Sequence, residues 1–165
     1  RKNMLKKLLF LLLFGLFACS KSDVDLKIVD ASDIYKQVET HRGKEAVLVN
    51  FWATHCSPCI EEFPMILELG EEYKNQGLKI YFVSTDWLDR KEAVLEFLQN
   101  IGVKGVSFLT DELDDNEFIN AIHQNWSGAL PFTLAFDKNG NLIDYWENKK
   151  DRIFFDSVIK KVLSP

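Results

Sequence analysis

The residues best suited to chemistry are two cysteines, Cys56 and Cys59, which form a C-x-x-C motif soon after an apolar run at residues 46–51. The run has the length and composition of a buried strand, and apolar side chains recur at helical spacing from Ser57 to about residue 75. A C-x-x-C at such a junction places its first sulfur at a helix N-terminus, where unpaired N–H groups and the helix dipole stabilise a thiolate. We therefore expect Cys56 to attack and Cys59, one turn further on, to be the less exposed resolving thiol.

Two other uses of the cysteine pair have less support. A zinc site needs two further ligands, but no other cysteine is near and the histidines are scattered along the chain, at His41, His55 and His123. A purely structural disulfide is possible, although so small a ring constrains little of the unfolded chain and would stabilise the fold only slightly. The sequence therefore favours redox chemistry, and no metal site is predicted.

Length and composition indicate a globular domain with an acidic surface. The chain has 165 residues, of which 47% are hydrophobic, and 13 Phe, 4 Trp and 4 Tyr supply ample apolar surface for a core. Lys and Arg number 20 against 25 Asp and Glu, which gives a formal charge of −5. This sign argues against nucleic acid as a partner, because nucleic-acid binding normally requires a basic face.

The first residues have the pattern of an export signal. Lys6 and Lys7 precede an apolar run at residues 8–17, which is shorter than the about 20 residues of a transmembrane helix. Residues 16–19, Leu-Phe-Ala-Cys, look like a bacterial lipoprotein box, in which the signal is cut before a cysteine that carries a diacylglyceryl group. We expect a signal peptide at 1–18, a lipid anchor on Cys19, a polar tether at 19–29 and the folded domain at 30–165. The alternative is an uncleaved anchor with Cys19 as a bystander.

The order of predicted elements sets the fold class. Strands are expected at 46–51, 78–83, 106–109 and 132–136, with helices at about 57–75, 89–101 and 114–122 and a last helix that begins at Asp151. Asn139-Gly140 predicts a two-residue hairpin turn that leads into a strand at 141–146. Early alternation of strands and helices followed by a hairpin predicts an α/β fold, with a central mixed sheet and helices on both faces.

At these residues the sequence resembles the thioredoxin superfamily, and within it the TlpA/ResA-like thiol-disulfide oxidoreductases of bacterial envelopes. The resemblance covers residues 30–163 and implies a thioredoxin-like fold for the predicted domain. It is carried by five motifs: Val-Asn-Phe-Trp-Ala-Thr-His-Cys-Ser-Pro-Cys at 49–59, Glu-Glu-Phe-Pro at 61–64, Val-Ser-Thr-Asp at 83–86, Leu-Pro-Phe-Thr at 130–133 and Asp-Lys-Asn-Gly at 137–140.

The resemblance implies roles for residues outside the cysteine pair. Pro131 matches a cis-proline that faces the active-site disulfide, where it exposes the Leu130 backbone for pairing with a substrate strand. Glu62 matches an acid that handles the proton of the resolving thiol. The alternative for Glu62 is a solvated side chain like that of its neighbour Glu61.

The residues around the motif depart from the family pattern at two points. His55 stands where relatives commonly carry Trp; a protonated imidazole there would lower the pKa of Cys56, and the alternative is a solvent-facing ring of little influence. Relatives often have Gly where this chain has Ala129, and Gly128 lies one residue earlier. By the same resemblance Trp52, His55, Leu130 and Pro131 are assigned to the substrate-binding surface, whereas Trp126 is expected in the core.

The expected function is thiol-disulfide exchange in the cell envelope. The resemblance favours reduction of envelope proteins, such as apocytochrome c or copper-site proteins, and implies electrons from a membrane dithiol protein. No G-x-G-x-x-G follows a strand, so no nicotinamide or flavin cofactor is expected. The alternatives are a disulfide oxidase or isomerase, a copper-binding chaperone with His123 as a distant ligand, a peroxidase of the peroxiredoxin type, and a non-enzymatic binding lipoprotein.

Overall fold

The computed structural model describes residues 23–111 and 115–164. Its strands are β1 Val24–Val29, β2 Ala46–Trp52, β3 Leu78–Ser84, β4 Gly105–Thr110, β5 Phe132–Phe136 and β6 Leu142–Glu147. Its helices are α1 Ala31–Glu39, α2 Ser57–Tyr73, α3 Lys91–Ile101, α4 Asp115–Ile122 and α5 Arg152–Leu163, with short 3₁₀ turns at Lys74–Gln76 and Leu88–Arg90. Within the described ranges, no helix combines the length and apolar character needed to cross a bilayer.

All six strands form one mixed sheet in the order β1-β4-β3-β2-β5-β6. β1, β4, β3 and β2 run parallel to one another, whereas β5 pairs antiparallel with both β2 and β6. Helical connections link the four parallel strands, and the final hairpin joins the antiparallel strands β5 and β6, as the order of predicted elements indicates. The predicted mixed α/β sheet is confirmed.

Strand β1 corrects the expected tether at 19–29, because Val24–Val29 pairs along its whole length with β4. The segment alternates Val24, Leu26 and Ile28 with Asp25 and Lys27, which is the period of a strand. Its charged residues gave it the polarity of a linker, but charges are common on edge strands, where they discourage pairing with other chains. The folded part of the chain therefore begins before residue 30.

Helix α1 was also missing from the expected elements. Its apolar residues Ala31, Ile34 and Val38 are buried on one face. The Asp30 side chain accepts a hydrogen bond from the Asp33 amide, at 2.8 Å, and so caps the helix. The apolar spacing and the capping aspartate are both present in the sequence, next to the segment expected to be a tether.

The sheet carries a helical layer and an apolar core on each face. Helices α2, α3 and α5 bury one face around Phe63, Leu98 and Ile159, whereas α1 and α4 bury the other around Ile34 and Phe118. Strand β2 is buried throughout, and its alternate side chains supply both cores. This central strand leads directly to the C-x-x-C, so the cysteines follow a fully buried segment.

The β5–β6 hairpin is present, but its turn differs from the expected two-residue type. That type needs positive φ at both central residues, yet Gly140 has φ 77° while Asn139 is not among the described residues with positive φ. The Gly140 amide donates to the Asp137 carbonyl at 3.0 Å, and the Asp137 carboxylate accepts from the Asn139 and Asn141 amides at 2.8 Å. The Asp137 side chain therefore stabilises a longer loop.

Packing of α2 against the sheet should depend strongly on Phe63, which is fully buried and stacks on Phe82 with ring centroids 4.1 Å apart. We expect Phe63→Ala to lower the free energy of unfolding by about 3–5 kcal/mol, because it leaves a cavity between helix and sheet. Ile153→Ala is the control, since Ile153 is 80% exposed and should cost less than about 0.5 kcal/mol. Equal midpoints and slopes for both variants in denaturant titrations would contradict this view of the core.

Candidate functional site

The cysteine pair lies at the junction between β2 and α2, as the motif predicts. Cys56 and Cys59 form a disulfide, with Cα atoms 5.3 Å apart. Cys56 is the N-cap of α2, and its sulfur accepts a hydrogen bond from the Cys59 amide at 3.3 Å. The sulfur of Cys56 thus accepts a hydrogen bond from one of the N–H groups left unpaired at the helix start. The same contact stabilises a thiolate at this position.

The two sulfurs differ in accessibility. Cys56 is partly exposed, whereas Cys59 is buried at 1% exposure. Pro58 occupies the first turn of α2, where its missing N–H costs no helical hydrogen bond. An incoming molecule can therefore reach Cys56 first, while Cys59 is held behind it in the helix.

Glu62 lies one helical turn after Cys59 and is 3% exposed. Its carboxylate accepts hydrogen bonds from the Asn50 side-chain amide at 3.2 Å and from the Lys150 backbone amide at 3.3 Å. Burial raises the pKa of Glu62 to about 7, although these hydrogen bonds and the charges of Lys149 and Lys150 act in the opposite direction. The side chain is therefore not solvated like its exposed neighbour Glu61.

The loop before β5 carries the proline that the resemblance placed opposite the disulfide. The Leu130–Pro131 peptide is cis, and Pro131 is buried while Leu130 is partly exposed. Gly128 has φ 89°, and a Cβ there would lie 2.9 Å from Ile119 Cδ1. Gly128 therefore supplies the conformational freedom that Ala129 lacks.

Trp126 is a core residue, as expected. It is 5% exposed, stacks on Phe132 with centroids 4.6 Å apart and donates its indole N–H to the Ala129 carbonyl at 3.0 Å. One edge of its ring also borders a cleft of about 250 Å³ that includes His55 and Leu130. The tryptophan thus packs in the core and also holds the loop before β5 through its indole hydrogen bond.

The structure corrects the assignment of Trp52 to the substrate-binding surface. Trp52 is fully buried and packs against Phe63 and Phe97, with centroid distances of 5.1 and 4.8 Å. Trp52, the last residue of β2, faces the layer formed by α2, α3 and α5. It therefore supports the site from within the core. His55, in contrast, is 73% exposed at its side chain, and its Nδ1 lies 3.5 Å from Asp86 Oδ1.

Asp86 is a site residue whose role the sequence did not reveal, although its motif was noted. Its carboxylate is fully buried two residues beyond β3 and accepts from the Thr54 amide at 2.8 Å and the Thr54 hydroxyl at 2.6 Å. The Ser84 hydroxyl donates to it at 2.8 Å, and Arg90 Nε lies 3.5 Å away. Asp86 therefore ties the end of β3 to the loop that leads into Cys56.

The described residues contain no group of three or more His, Cys, Asp and Glu side chains arranged to hold a metal ion. His123, the distant ligand considered for copper, packs against Tyr145 with ring centroids 4.0 Å apart and ring planes inclined by 38°. Cys19, the expected lipid anchor, and the expected signal peptide lie outside the described residues.

Removal of the Asp86 carboxylate should destabilise the loop and the fold together. We expect Asp86→Ala to lower the free energy of unfolding by about 3 kcal/mol, because the half-buried donors of Thr54 and the buried hydroxyl of Ser84 lose their acceptor. Asp89→Ala is the matched control, since Asp89 is exposed on the following turn and should cost less than about 0.5 kcal/mol. Denaturant titration measures both, and a loss below about 1 kcal/mol for Asp86→Ala would contradict the assignment.

Comparisons with known proteins identify thiol-disulfide oxidoreductases as relatives of this chain. A thiol-disulfide oxidoreductase ResA of Geobacillus kaustophilus is 33% identical over 118 residues, which cover 72% of this chain and 63% of the relative's length. One from Bacillus anthracis is 28% identical over 141 residues, covering 86% of this chain and 72% of the relative.

A solved structure gives the same result for the fold. The thioredoxin domain of a thiol-disulfide oxidoreductase from Bacteroides vulgatus superposes with a TM-score of 0.61 at 27% identity, covering 75% of this chain and 83% of that domain. The family model described as Redoxin matches residues 21–163, which is most of the chain. With its thioredoxin-like fold and its paired cysteines, the chain belongs to the Redoxin family.

Proposed function

We propose that this protein is a protein-disulfide oxidoreductase that works through Cys56 and Cys59 and acts mainly as a reductase of envelope proteins. The observation that carries the proposal is the asymmetric cysteine pair: a partly exposed sulfur at the start of α2 and a buried one behind it. The names of the ResA relatives support the activity. The structure holds the disulfide and therefore represents the oxidised state of the cycle.

The first step of reduction is attack by Cys56. In the reduced protein, the Cys56 thiolate displaces one sulfur of a substrate disulfide and forms a mixed disulfide, and the released first substrate thiolate takes up a proton from water. Amide groups at the start of α2 stabilise the attacking anion. Thr54, held by Asp86, fixes the loop from which Cys56 attacks.

The second step is attack by Cys59 on the sulfur of Cys56. The Cys59 thiol must lose its proton as it attacks, and the substrate leaves with its second thiolate, which takes up a proton. The ionised Glu62 carboxylate is the base that we assign to Cys59, either directly or through a water molecule. The products are a substrate dithiol and the Cys56–Cys59 disulfide, so the substrate has gained two electrons.

The backbone at Leu130 is the proposed docking point for the substrate chain. Within residues 23–111 and 115–164, no backbone hydrogen bond uses the amide or carbonyl of Leu130. An extended segment next to a substrate cysteine can pair with these groups, as a strand adds to a sheet edge. His55 and Leu130 border the cleft beside this point, so both remain proposed substrate contacts.

The N-terminal pattern and the family support a proposed cellular setting. Lipid attached to Cys19 would hold the protein on the outer face of a bacterial membrane, where other proteins are oxidised. Apocytochrome c and copper-site proteins are the proposed substrates, since their cysteines must be reduced before they bind haem or copper. A membrane dithiol protein returns the two electrons to the Cys56–Cys59 disulfide and is itself oxidised.

Trapping of substrates tests the proposed function and its direction. Cys59→Ser lacks the resolving thiol, so we expect it to retain substrates as mixed disulfides on Cys56 that reducing agents release. Cys56→Ser should trap nothing above background, and mass spectrometry identifies the captured proteins. Apocytochromes or copper-site proteins would support the reductase. A set made only of secreted proteins with many disulfides would point to an oxidase or isomerase, and no capture at all would contradict thiol exchange.

The pH dependence of the resolving step tests Glu62. A mixed disulfide between Cys56 and thionitrobenzoate reports the step, because attack by Cys59 releases the coloured thiol. Since the pKa of Glu62 is raised to about 7, the carboxyl is protonated below this pH, and we expect the release rate to rise as the pH passes through it. Glu62→Gln should abolish this limb and slow release above pH 7 by about a hundredfold.

A second acid of α2 provides the control for this experiment. Glu71 is exposed near the end of the helix and pairs with Lys74, so Glu71→Gln should keep both the rate and the limb near pH 7. If Glu62→Gln retained the wild-type profile, Glu62 would have no part in the proton transfer.

A further inference from the structure

The last residue of β6 and the start of its connection to α5 contact both halves of the site. We name this segment the strap and define it as residues 147–150. The Glu147 carboxylate accepts from the backbone amide of Ser127 and, at 2.9 Å, from its hydroxyl. The Asn148 amide donates to the Pro131 carbonyl at 2.8 Å. The first half of the strap thus holds the loop that contains the cis-proline.

The second half of the strap holds the acids of α2. Lys149 forms an ion pair with Glu61, and the Lys150 amide donates to the buried Glu62 carboxylate at 3.3 Å. Two groups that the proposed reaction needs, the docking loop and the proton acceptor, are therefore connected through neighbouring peptide units of one segment.

Asn148 is the residue that turns the strap from one partner to the other. It has φ 66° and is the described non-glycine residue with a left-handed backbone. Asparagine tolerates this conformation better than most residues with a side chain. Its side chain is exposed and makes no hydrogen bond within the described ranges, so the backbone conformation accounts for its place here.

We propose that the strap is a positioning element for the exchange reaction, and that the left-handed backbone of Asn148 keeps the cis-proline loop and the Glu62 carboxylate in register. This proposal rests on the function proposed above. Asn148 acts through Pro131 and, by way of the next peptide units, through Glu62; it does not touch the reacting sulfurs.

The strap also gives the site a means of coupling. The Lys150 amide stabilises the ionised form of Glu62, as do the charges of Lys149 and Lys150, while Asn50 on β2 donates from the other side. Displacement of the strap removes the Lys150 contribution and also alters the burial that is the main cause of the raised pKa, so the pKa of Glu62 shifts. A change in the position of the cis-proline loop therefore alters the pKa of Glu62.

Substitutions at Asn148 separate backbone conformation from side-chain chemistry. Asn148→Gly keeps access to positive φ, whereas Asn148→Val places a β-branched residue where that conformation is strongly disfavoured. In the thionitrobenzoate assay, we expect the glycine variant to stay within about twofold of wild type. The valine variant should release about tenfold more slowly near neutral pH. The midpoint of its pH limb should also shift away from that of the wild type.

The shift of the midpoint distinguishes positioning from simple destabilisation, because a folded protein that is only less stable keeps the same midpoint. Should Asn148→Val fail to fold, Asn148→Ala carries the same comparison without the β-branch. Equal midpoints for wild type, the glycine variant and the valine or alanine variant would overturn the role of the strap. Failure of the wild-type protein to release thionitrobenzoate at all would instead overturn the proposed function.

Discussion

The unpaired amide groups at the start of α2 are the constraint on which the rest of this site depends. A sulfur at the N-cap of a helix meets N–H donors that have no other partner, and there the anionic form is favoured over the neutral one. The buried strand β2 brings the chain to this point, and Asp86 fixes the intervening loop through Thr54. The core beneath supports a reactive group that itself stays accessible to solvent.

A second constraint is the separation of two adjacent acids by their surroundings. Glu61 faces solvent and pairs with Lys149, while Glu62 points inward against Asn50. Removal from water makes ionisation of Glu62 unfavourable, so its pKa is raised to about 7 and its charge changes near neutral pH. One helix thus presents an ordinary surface carboxylate and a proton acceptor in consecutive positions.

Sequence reasoning reached those parts of the molecule whose causes are local. The strand and helix on either side of Cys56 follow from apolar spacing, and the lower exposure of Cys59 follows from its place one turn into the helix. The burial of Glu62 does not follow in this way, because its partner Lys150 is 88 residues distant in the chain. Trp52 is assigned to the binding surface by resemblance, but alternation along β2 turns its side chain into the same core as Leu48.

The same limit applies to the loops and edges. The cis-proline was expected from family resemblance alone, since an X–Pro bond is cis in only about 5–6% of cases. Asp86 is one of many acids in the chain, and only the fold brings the Thr54 donors around it. Strand β1 has an alternating pattern, but its pairing with β4 depends on contacts about 80 residues away in sequence.

The direction of β1 places the start of the folded chain and the disulfide at opposite ends of the sheet. Val24 pairs with Gly105 at the beginning of β4, and β1 and β4 run parallel to β2. The polypeptide thus joins the sheet at the pole remote from the disulfide, roughly 20 Å away along a seven-residue strand. A membrane or partner attached on the N-terminal side of residue 23 would approach the end of the sheet opposite the disulfide. The cysteine pair would then face away from that attachment.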